Sequence, residues 1–431
     1  MTRRLSAALR VALALGYTIV YAICYVSYLN YNYGYAGYDL FPRHAVVLIA
    51  AFIIAIAPVL CYTGTRAVSS TMAVLIYVLL YVPIILTFAF ASRGPVDQII
   101  AVQLTFMIGM ALIFLADVII VRNPIRLTVQ MDLMPIVLSL TCVGVVYMLV
   151  VYRGNLHFPS FGEDLYTVRA ENESLGAGLV TRYVSSWLST VLVPLCLAYG
   201  LTRRAFRYFL VGCAACLVLY LATSIKIIIL LPCVYVGFYY LVRKRLSAFY
   251  SILTATVSVV ILGLMRAAQL GGIAFVVSSV VLMRTIGNGG QLTLAYYEFF
   301  LTHPRTDYSH VNGIKLLVHR YPYGSLPVGQ VVGQYFWSPE MNANANFWAT
   351  DGVAAMGMTG VLIVSVLCAL FFMAMNSITD EHDPLFVLLC FLSFANILLN
   401  QSLFSAIWSG GGFFLLLFFM FYNGCKFAAK E

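Results

Sequence analysis

The sequence predicts an all-α polytopic membrane protein of about twelve transmembrane helices, with two large loops on its outer side. Three observations carry that prediction. The 431 residues are 62% hydrophobic and 10% charged, with a mean hydropathy of +0.94, a composition that cannot keep its surface in water. The apolar residues fall in runs close to the length that crosses a bilayer as a helix. The basic residues fall in short clusters between those runs, which is how orientation is encoded in helical membrane proteins.

The runs lie near residues 11–30, 45–63, 70–91, 98–120, 133–152, 184–201, 207–223, 225–242, 248–265, 352–375, 385–402 and 406–423, within one integral membrane domain, 1–431. The first follows Arg3, Arg4 and Arg10 without a small-residue cleavage site and reads as an uncleaved signal anchor. It carries Tyr17, Tyr21, Tyr25 and Tyr28 on one helix face, a pattern of helix packing and an aromatic belt.

Basic clusters at Arg3/Arg4/Arg10, Arg66, Arg122/Arg126, Arg203/Arg204/Arg207, Arg243/Lys244/Arg245 and Lys426/Lys430 share one side. Both termini are therefore expected in the cytoplasm. The connections 153–183 and 266–350 then face outward, and the second is too long for an idle linker. Inside it, 271–283 is apolar but short for a span. A re-entrant or interfacial helix is expected there, because a thirteenth span would invert everything after it.

Several classes are disfavoured. The net charge of +9 is spent on topology and is no sign of nucleic-acid binding. All ten cysteines lie in or beside apolar runs, so no disulfide framework is implied, and Cys213 and Cys216 read as packing. There is no phosphate-binding P-loop, no G-x-S-x-G and no histidine metal box. The cluster Asp380-Glu381-His382-Asp383 reads as a solvated helix cap rather than a metal site. Neither a metal nor a cofactor is called for. Intramembrane charge is confined to Asp117 and Lys226, unlike the central polar path of a transporter.

The outer connections carry Arg153, Arg169 and Arg182, then Arg266, Arg284, Arg305, Lys315 and Arg320. Arginine's fixed, charged fork suits phosphate or pyrophosphate, so these cations suggest an anionic lipid headgroup. The alternative is pairing with Glu163, Asp164, Glu171, Glu173, Glu298 or Asp307. His303, His310 and His319 are the ring bases of the second connection, and a neutral imidazole can take a proton from a sugar hydroxyl. Asn342, Asn344 and Asn346 alternate ahead of Phe347 and Trp348, a combination suited to hydrogen-bonding and stacking a sugar. The same stretch also reads as a helix start, with Thr350 or Asp351 as N-cap.

In order, Arg284, YYEFFLTHP (296–304), DYSH (307–310), P-x-G-x-x-x-G (327–333) and NANANFWATDGVAAMGMTG (342–360) resemble the oligosaccharide repeat-unit polymerases of bacterial O-antigen and capsule pathways, the Wzy type. The motif resemblance covers 284–360; the rest of the chain is similar only in hydropathy and in its two large outer connections. The paired Arg-then-Gly loop signatures of some O-antigen polymerases are not matched around Arg169 or Arg182. The resemblance implies a fold similar to the GT-C-like, lipid-linked-sugar glycosyltransferases, in the bacterial inner (plasma) membrane. It implies transfer of a glycan from an undecaprenyl-pyrophosphate-linked oligosaccharide to another lipid-linked repeat, on the periplasmic face, with a chain-length regulator as a partner. In that scheme Arg284, Arg305 and Arg320 hold pyrophosphate, His310 activates the acceptor hydroxyl, and Asn342, Asn344 and Asp351 bind sugar hydroxyls. Two rivals stand beside it: an O-antigen ligase or other polyprenyl-linked transferase using Asp39 as its acid, and an exporter without chemistry.

Overall fold

The computed structural model describes residues 7–41, 45–64, 68–116, 131–154, 156, 178–243, 248–311, 314 and 321–423. In chain order the principal helices are α1 (Ala7–Ala36), α2 (Ala45–Cys61), α3 (Val68–Ala91), α4 (Val96–Leu115), α5 (Met134–Val151), α6 (Val180–Thr202) and α7 (Phe206–Thr223). They continue with α8 (Ile227–Val242), α9 (Phe249–Ala268), α10 (Gly272–Thr302), α11 (Val328–Phe336), α12 (Met358–Thr379), α13 (Pro384–Asn400) and α14 (Leu403–Phe421). Among the described residues, ten of these are long and apolar enough to cross a membrane, and α2, α8 and α13 are shorter apolar helices. The chain is a multi-pass, helical membrane protein.

Two compact units divide it. The first comprises Met1–Val121, Ser247–Asn376 and Ile397–Phe404; the second comprises Arg122–Leu246, Ser377–Asn396 and Ser405–Glu431.

The first unit is organised around α3, in which every residue except Leu79 is buried; a helix apolar on all sides belongs in the middle of a bundle. Helix α1 runs alongside it in the same direction. The Tyr17 hydroxyl donates to the Val78 carbonyl, and the Tyr25 ring stacks on Phe90 at 5.0 Å. Tyr17, Tyr21, Tyr25 and Tyr28 are all buried, so the tyrosine face is a packing face. Helix α9 also runs parallel to α1, with the Tyr250 hydroxyl donating to the Arg10 carbonyl at 3.0 Å. Helix α12 runs the other way and ends where Asn376 Nδ2 donates to Ser69 Oγ at 2.7 Å. One end of this unit is thus marked by Tyr28 and Phe90, the other by Arg10 and Ser69.

Helix α10 departs from expectation. The apolar stretch 271–283 is not a separate short helix but the beginning of a 31-residue one. Length and composition would let α10 cross a membrane, yet its contacts describe another path. Early in the helix, Ser279 meets the hydroxyls of Tyr28 and Tyr33. A Cβ on Gly289 would then lie 2.8 Å from Leu80, midway along α3. Near its end, the Tyr297 ring is 5.4 Å from Phe88 and its hydroxyl accepts from Gln98 Nε2 at 2.8 Å. Its early and late contacts thus both fall at the Tyr28–Phe90 end, and in between Gly287 lies against Tyr38 and Leu29. The π-helical Val280–Gly287 is followed by Gly289 and Gly290, which let α10 approach α3 closely; a Cβ on Gly290 would come within 2.6 Å of the Pro83 carbonyl oxygen. Irregular helix at membrane depth is tolerated when it is packed in protein. The connection 266–350 is consequently not a free loop, for it holds the end of α9, all of α10 and α11.

The expected span 352–375 is interrupted too. A π-helical turn, Trp348–Val353, is followed by Gly357 at φ +67°, and α12 begins only at Met358. The run 406–423 starts earlier, at Leu403, and is broken by Gly411 at φ +86°.

In the second unit α5 and α6 are antiparallel, joined by Tyr147 and Thr181 hydroxyls at 2.9 Å and by Thr141 Oγ1 and Cys196 Sγ at 3.4 Å. With the second half of α14 they enclose an apolar cavity of about 310 Å³ lined by Leu140, Tyr147, Val184, Trp187, Leu188 and Phe414, among others. His382 is not part of a solvated cap: it is buried and bonded through Nε2 to the Tyr422 carbonyl at 3.0 Å. Of the first expected outer connection, 155 and 157–177 lie outside the described residues, and Leu179–Trp187 already belongs to helix.

Candidate functional site

The site is built on the stretch between α11 and α12. Residues 342–346 are extended and alternate in exposure: Asn342 and Asn344 face outward, while Ala343, Ala345 and Asn346 are buried. They lie along α11, with the Ala343 N–H donating to the Gly329 carbonyl at 2.9 Å. The P-x-G-x-x-x-G motif therefore has a packing purpose: with Gly329 and Gly333 one turn apart, the extended backbone lies directly on the helix.

The third asparagine does what was expected of Thr350 or Asp351. Asn346 Oδ1 accepts from the Trp348 and Ala349 N–H groups, both at 3.1 Å, which is the geometry of an N-cap. Its Nδ2 donates to Thr293 Oγ1 at 2.8 Å and to the Gly289 carbonyl at 3.3 Å. Phe347 and Trp348 are not a sugar-stacking surface. Both are fully buried, and Trp348 Nε1 donates to Ser365 Oγ at 2.8 Å.

The turn so capped places Asp351 inside the unit, with no exposed surface. Its Oδ1 lies 3.3 Å from His310 Nε2, and its Oδ2 accepts from the Leu403 N–H at 2.5 Å. His310 arrives on a segment that leaves the end of α10. His303 caps that end, its Nδ1 3.0 Å from the Phe299 carbonyl and its ring stacked on Phe299 at 4.0 Å. Beyond Pro304, the Thr306 and Asp307 N–H groups donate to the Ala354 and Ala355 carbonyls at 2.8 and 3.1 Å. The chain then turns sharply through Asp307 and Tyr308, both left-handed at φ +46° and +61°, a conformation that costs energy in residues other than glycine. This brings His310 Nδ1 to 2.7 Å from Thr306 Oγ1.

Hydrogen-bond accounting constrains the network. The Thr306 hydroxyl has one proton and two neighbours, His310 Nδ1 and the Ala354 carbonyl at 3.2 Å. If it donates to the ring, the imidazole keeps its proton on Nε2. If it donates to the carbonyl, the ring carries its proton on Nδ1 and donates to Thr306. The longest contact of the network, 3.3 Å, is the one between His310 and Asp351. His310 is therefore held at both nitrogens rather than free. Asp351 has no exposed surface, and its two oxygens face His310 Nε2 and the Leu403 N–H.

Arg305 is exposed one residue before Thr306. Its guanidinium lies over Gly357, where a Cβ would be 2.7 Å from Cζ, and Nη1 is 3.4 Å from the Met356 carbonyl. Arg284 is exposed on the π-helical part of α10, and no hydrogen bond or ion pair among the described residues joins it to the His310–Asp351 pair. Arg320, Lys315 and His319 lie outside the described residues, as does Arg169. The rival acid Asp39 forms an exposed pair with Arg93 at 3.4 Å.

Two contributors escaped the sequence reading, and a third, Asn346, was read for a different part. Thr306 precedes the DYSH motif and Tyr308 lies within it, and the left-handed backbone at Asp307 and Tyr308 gave no signal in residue type. Asn346 did signal itself, as an asparagine two and three residues ahead of the N–H groups it caps. No protein-family model, no curated protein and no solved structure matches this chain.

Proposed function

We propose that this protein polymerises oligosaccharide repeat units, transferring a glycan from a polyprenyl-pyrophosphate carrier to a second lipid-linked oligosaccharide at the outer face of a bacterial plasma membrane. The observation that carries the reading is the meeting of His310 and Asp351. Two residues 41 apart, from separate motifs, come to 3.3 Å in a membrane protein, the His310 segment also carrying the exposed Arg305. In the transfer, the bond from the sugar's anomeric carbon to pyrophosphate breaks and a bond to the acceptor oxygen forms. The acceptor proton passes to the His310–Asp351 pair, general base catalysis of the ordinary kind. The pyrophosphate leaves against Arg305, with Arg284 as a second cation. Asn342 and Asn344, exposed above α11, bind sugar hydroxyls.

Topology supports an outward site. Among the described residues there are twelve apolar helices besides α10, three of them shorter than a full span; a crossing by each would return both termini to one side. The basic clusters make that side the cytoplasm. A ligase-like transferase using Asp39 is the second reading, favoured by the Asp39–Arg93 pair; loss of activity in Asp39→Asn with His310→Gln unaffected would select it. Deleting the gene tests the main proposal. Surface glycan reduced to a single repeat supports it, and an unchanged length distribution refutes it.

A further inference from the structure

Tyr308 is the one member of this cluster whose polar atom is left over. Its hydroxyl is buried and has no hydrogen-bond partner among the described residues. Its ring lies nearly parallel to His310, at 6.4 Å and 22°, and packs edge-on against Phe404 at 5.9 Å. Its backbone is left-handed, directly after a second left-handed residue. Folded proteins pair their buried hydroxyls, and backbone strain persists where surrounding structure enforces it, most often at sites that bind or react. Here an unpaired hydroxyl and a strained backbone fall on one residue, next to the His310–Asp351 pair.

Resting on the glycosyl-transfer reading, we infer that the Tyr308 hydroxyl is a substrate contact, a hydrogen-bond donor held for a hydroxyl of the acceptor sugar. Charge decides between the two halves of a lipid-linked glycan. The fully buried Asp351 is beside this position, and a phosphate brought there would meet a carboxylate in a medium that screens poorly. A neutral sugar hydroxyl both accepts and donates, so it suits a phenol on one side and the His310–Asp351 pair on the other. Anionic charge belongs instead at Arg305, on the exposed surface. Burial first and the Asp351 charge second push the Tyr308 phenol up to about 12, so at neutral pH it is a donor. The hydroxyl contacted by Tyr308 is not the attacking one, since a donor there would weaken the nucleophile; it is a neighbouring hydroxyl, and Tyr308 reads its presence. The residue positions and selects the acceptor and takes no proton in the transfer.

Tyr308→Phe is the informative variant, because it keeps the ring against His310 and Phe404 and removes only the oxygen. The measurements are binding of the purified repeat-unit oligosaccharide, polymer formation from lipid-linked repeat unit, and thermal unfolding, all on the full-length protein in lipid nanodiscs. A lost neutral hydrogen bond weakens binding roughly 3- to 10-fold, whereas removing an unpaired buried hydroxyl leaves the melting temperature equal or raised. Weaker binding with undiminished stability supports the inference. Unchanged affinity overturns it, as does a lowered melting temperature with unchanged affinity, which would mean that the hydroxyl serves the fold, through water or otherwise. The larger reading fails separately: wild-type protein that binds oligosaccharide in a Tyr308-dependent way yet makes no polymer contradicts the polymerase and leaves the contact standing. Wild-type protein that binds no oligosaccharide overturns the contact as well.

Discussion

Asn346 donates to Thr293 at 2.8 Å and thereby ties the turn that carries Asp351 to the middle of α10. The same amide caps that turn through its oxygen. One side chain thus fixes two segments, the middle of α10 and the start of the Trp348–Val353 turn, against each other. Asn346→Ala would leave the buried Trp348 N–H without its acceptor, while the Ala349 N–H would keep only the residue-346 carbonyl and the Thr293 hydroxyl only the Gly289 carbonyl. Stability should fall by about 2–4 kcal/mol, read as a lowered melting temperature in detergent. A melting temperature matching wild type would show that the cap does not hold the turn.

His310→Gln and Asp351→Ala should separate chemistry from architecture. Glutamine can keep hydrogen bonds to Thr306 and Asp351 but cannot take a proton at neutral pH, so polymer formation should drop about 10²- to 10⁴-fold with little change in melting. Asp351→Ala removes the acceptor of both His310 and the Leu403 N–H, and should destabilise by about 3–5 kcal/mol, as breaking a buried pair does. Full activity in His310→Gln would reduce the histidine to a structural part.

At Gly357 the backbone conformation, φ +67° and ψ −141°, is one that side chains rarely adopt, and Arg305 occupies the space of a Cβ. Gly357→Ala should cost about 1–3 kcal/mol and displace the guanidinium. Arg305→Ala should leave melting nearly unchanged, as expected of an exposed side chain, while slowing polymer formation. If both variants make polymer at the wild-type rate, Arg305 has no part in the reaction.

Alkaline pH gives a test that needs no substrate. The Tyr308 phenol is raised from 10.0 to about 12 in the folded chain. Between those values the native protein keeps a proton that the unfolded chain has released, so this contribution to stability is intact below pH 10 and is lost as pH rises towards 12. Tyr308→Phe should accordingly lose less melting temperature than wild type over that window. Parallel curves would place Tyr308 in an ordinary solvated setting.

How far the sequence revealed this molecule follows from what lipid enforces and what it does not. Apolar length is compulsory for a crossing helix, so the spans were legible to within a few residues, from α3 at Val68–Ala91 to α7 at Phe206–Thr223. The path of α10 was not, because Arg284, Asn288 and Gln291 look like the end of a helix when they are read as a hydropathy break. Tertiary contacts with α3 and Asn346 carry the helix through them. His310 and Asp351 were both singled out as residue types, but their contact is set by a turn through Asp307 and Tyr308 that no periodicity announces. Phe347 and Trp348 misled for the opposite reason: an aromatic suited to a sugar is equally suited to a core.

The central claim is that this chain alone joins lipid-linked repeat units. Purified protein in nanodiscs, supplied with polyprenyl-pyrophosphate-linked repeat unit and no nucleotide sugar, should yield a ladder of longer glycans and release the pyrophosphate-bearing carrier, with both products strongly reduced in His310→Gln. Repeat unit recovered at its original length, from well-folded wild-type protein that demonstrably binds it, would contradict the account.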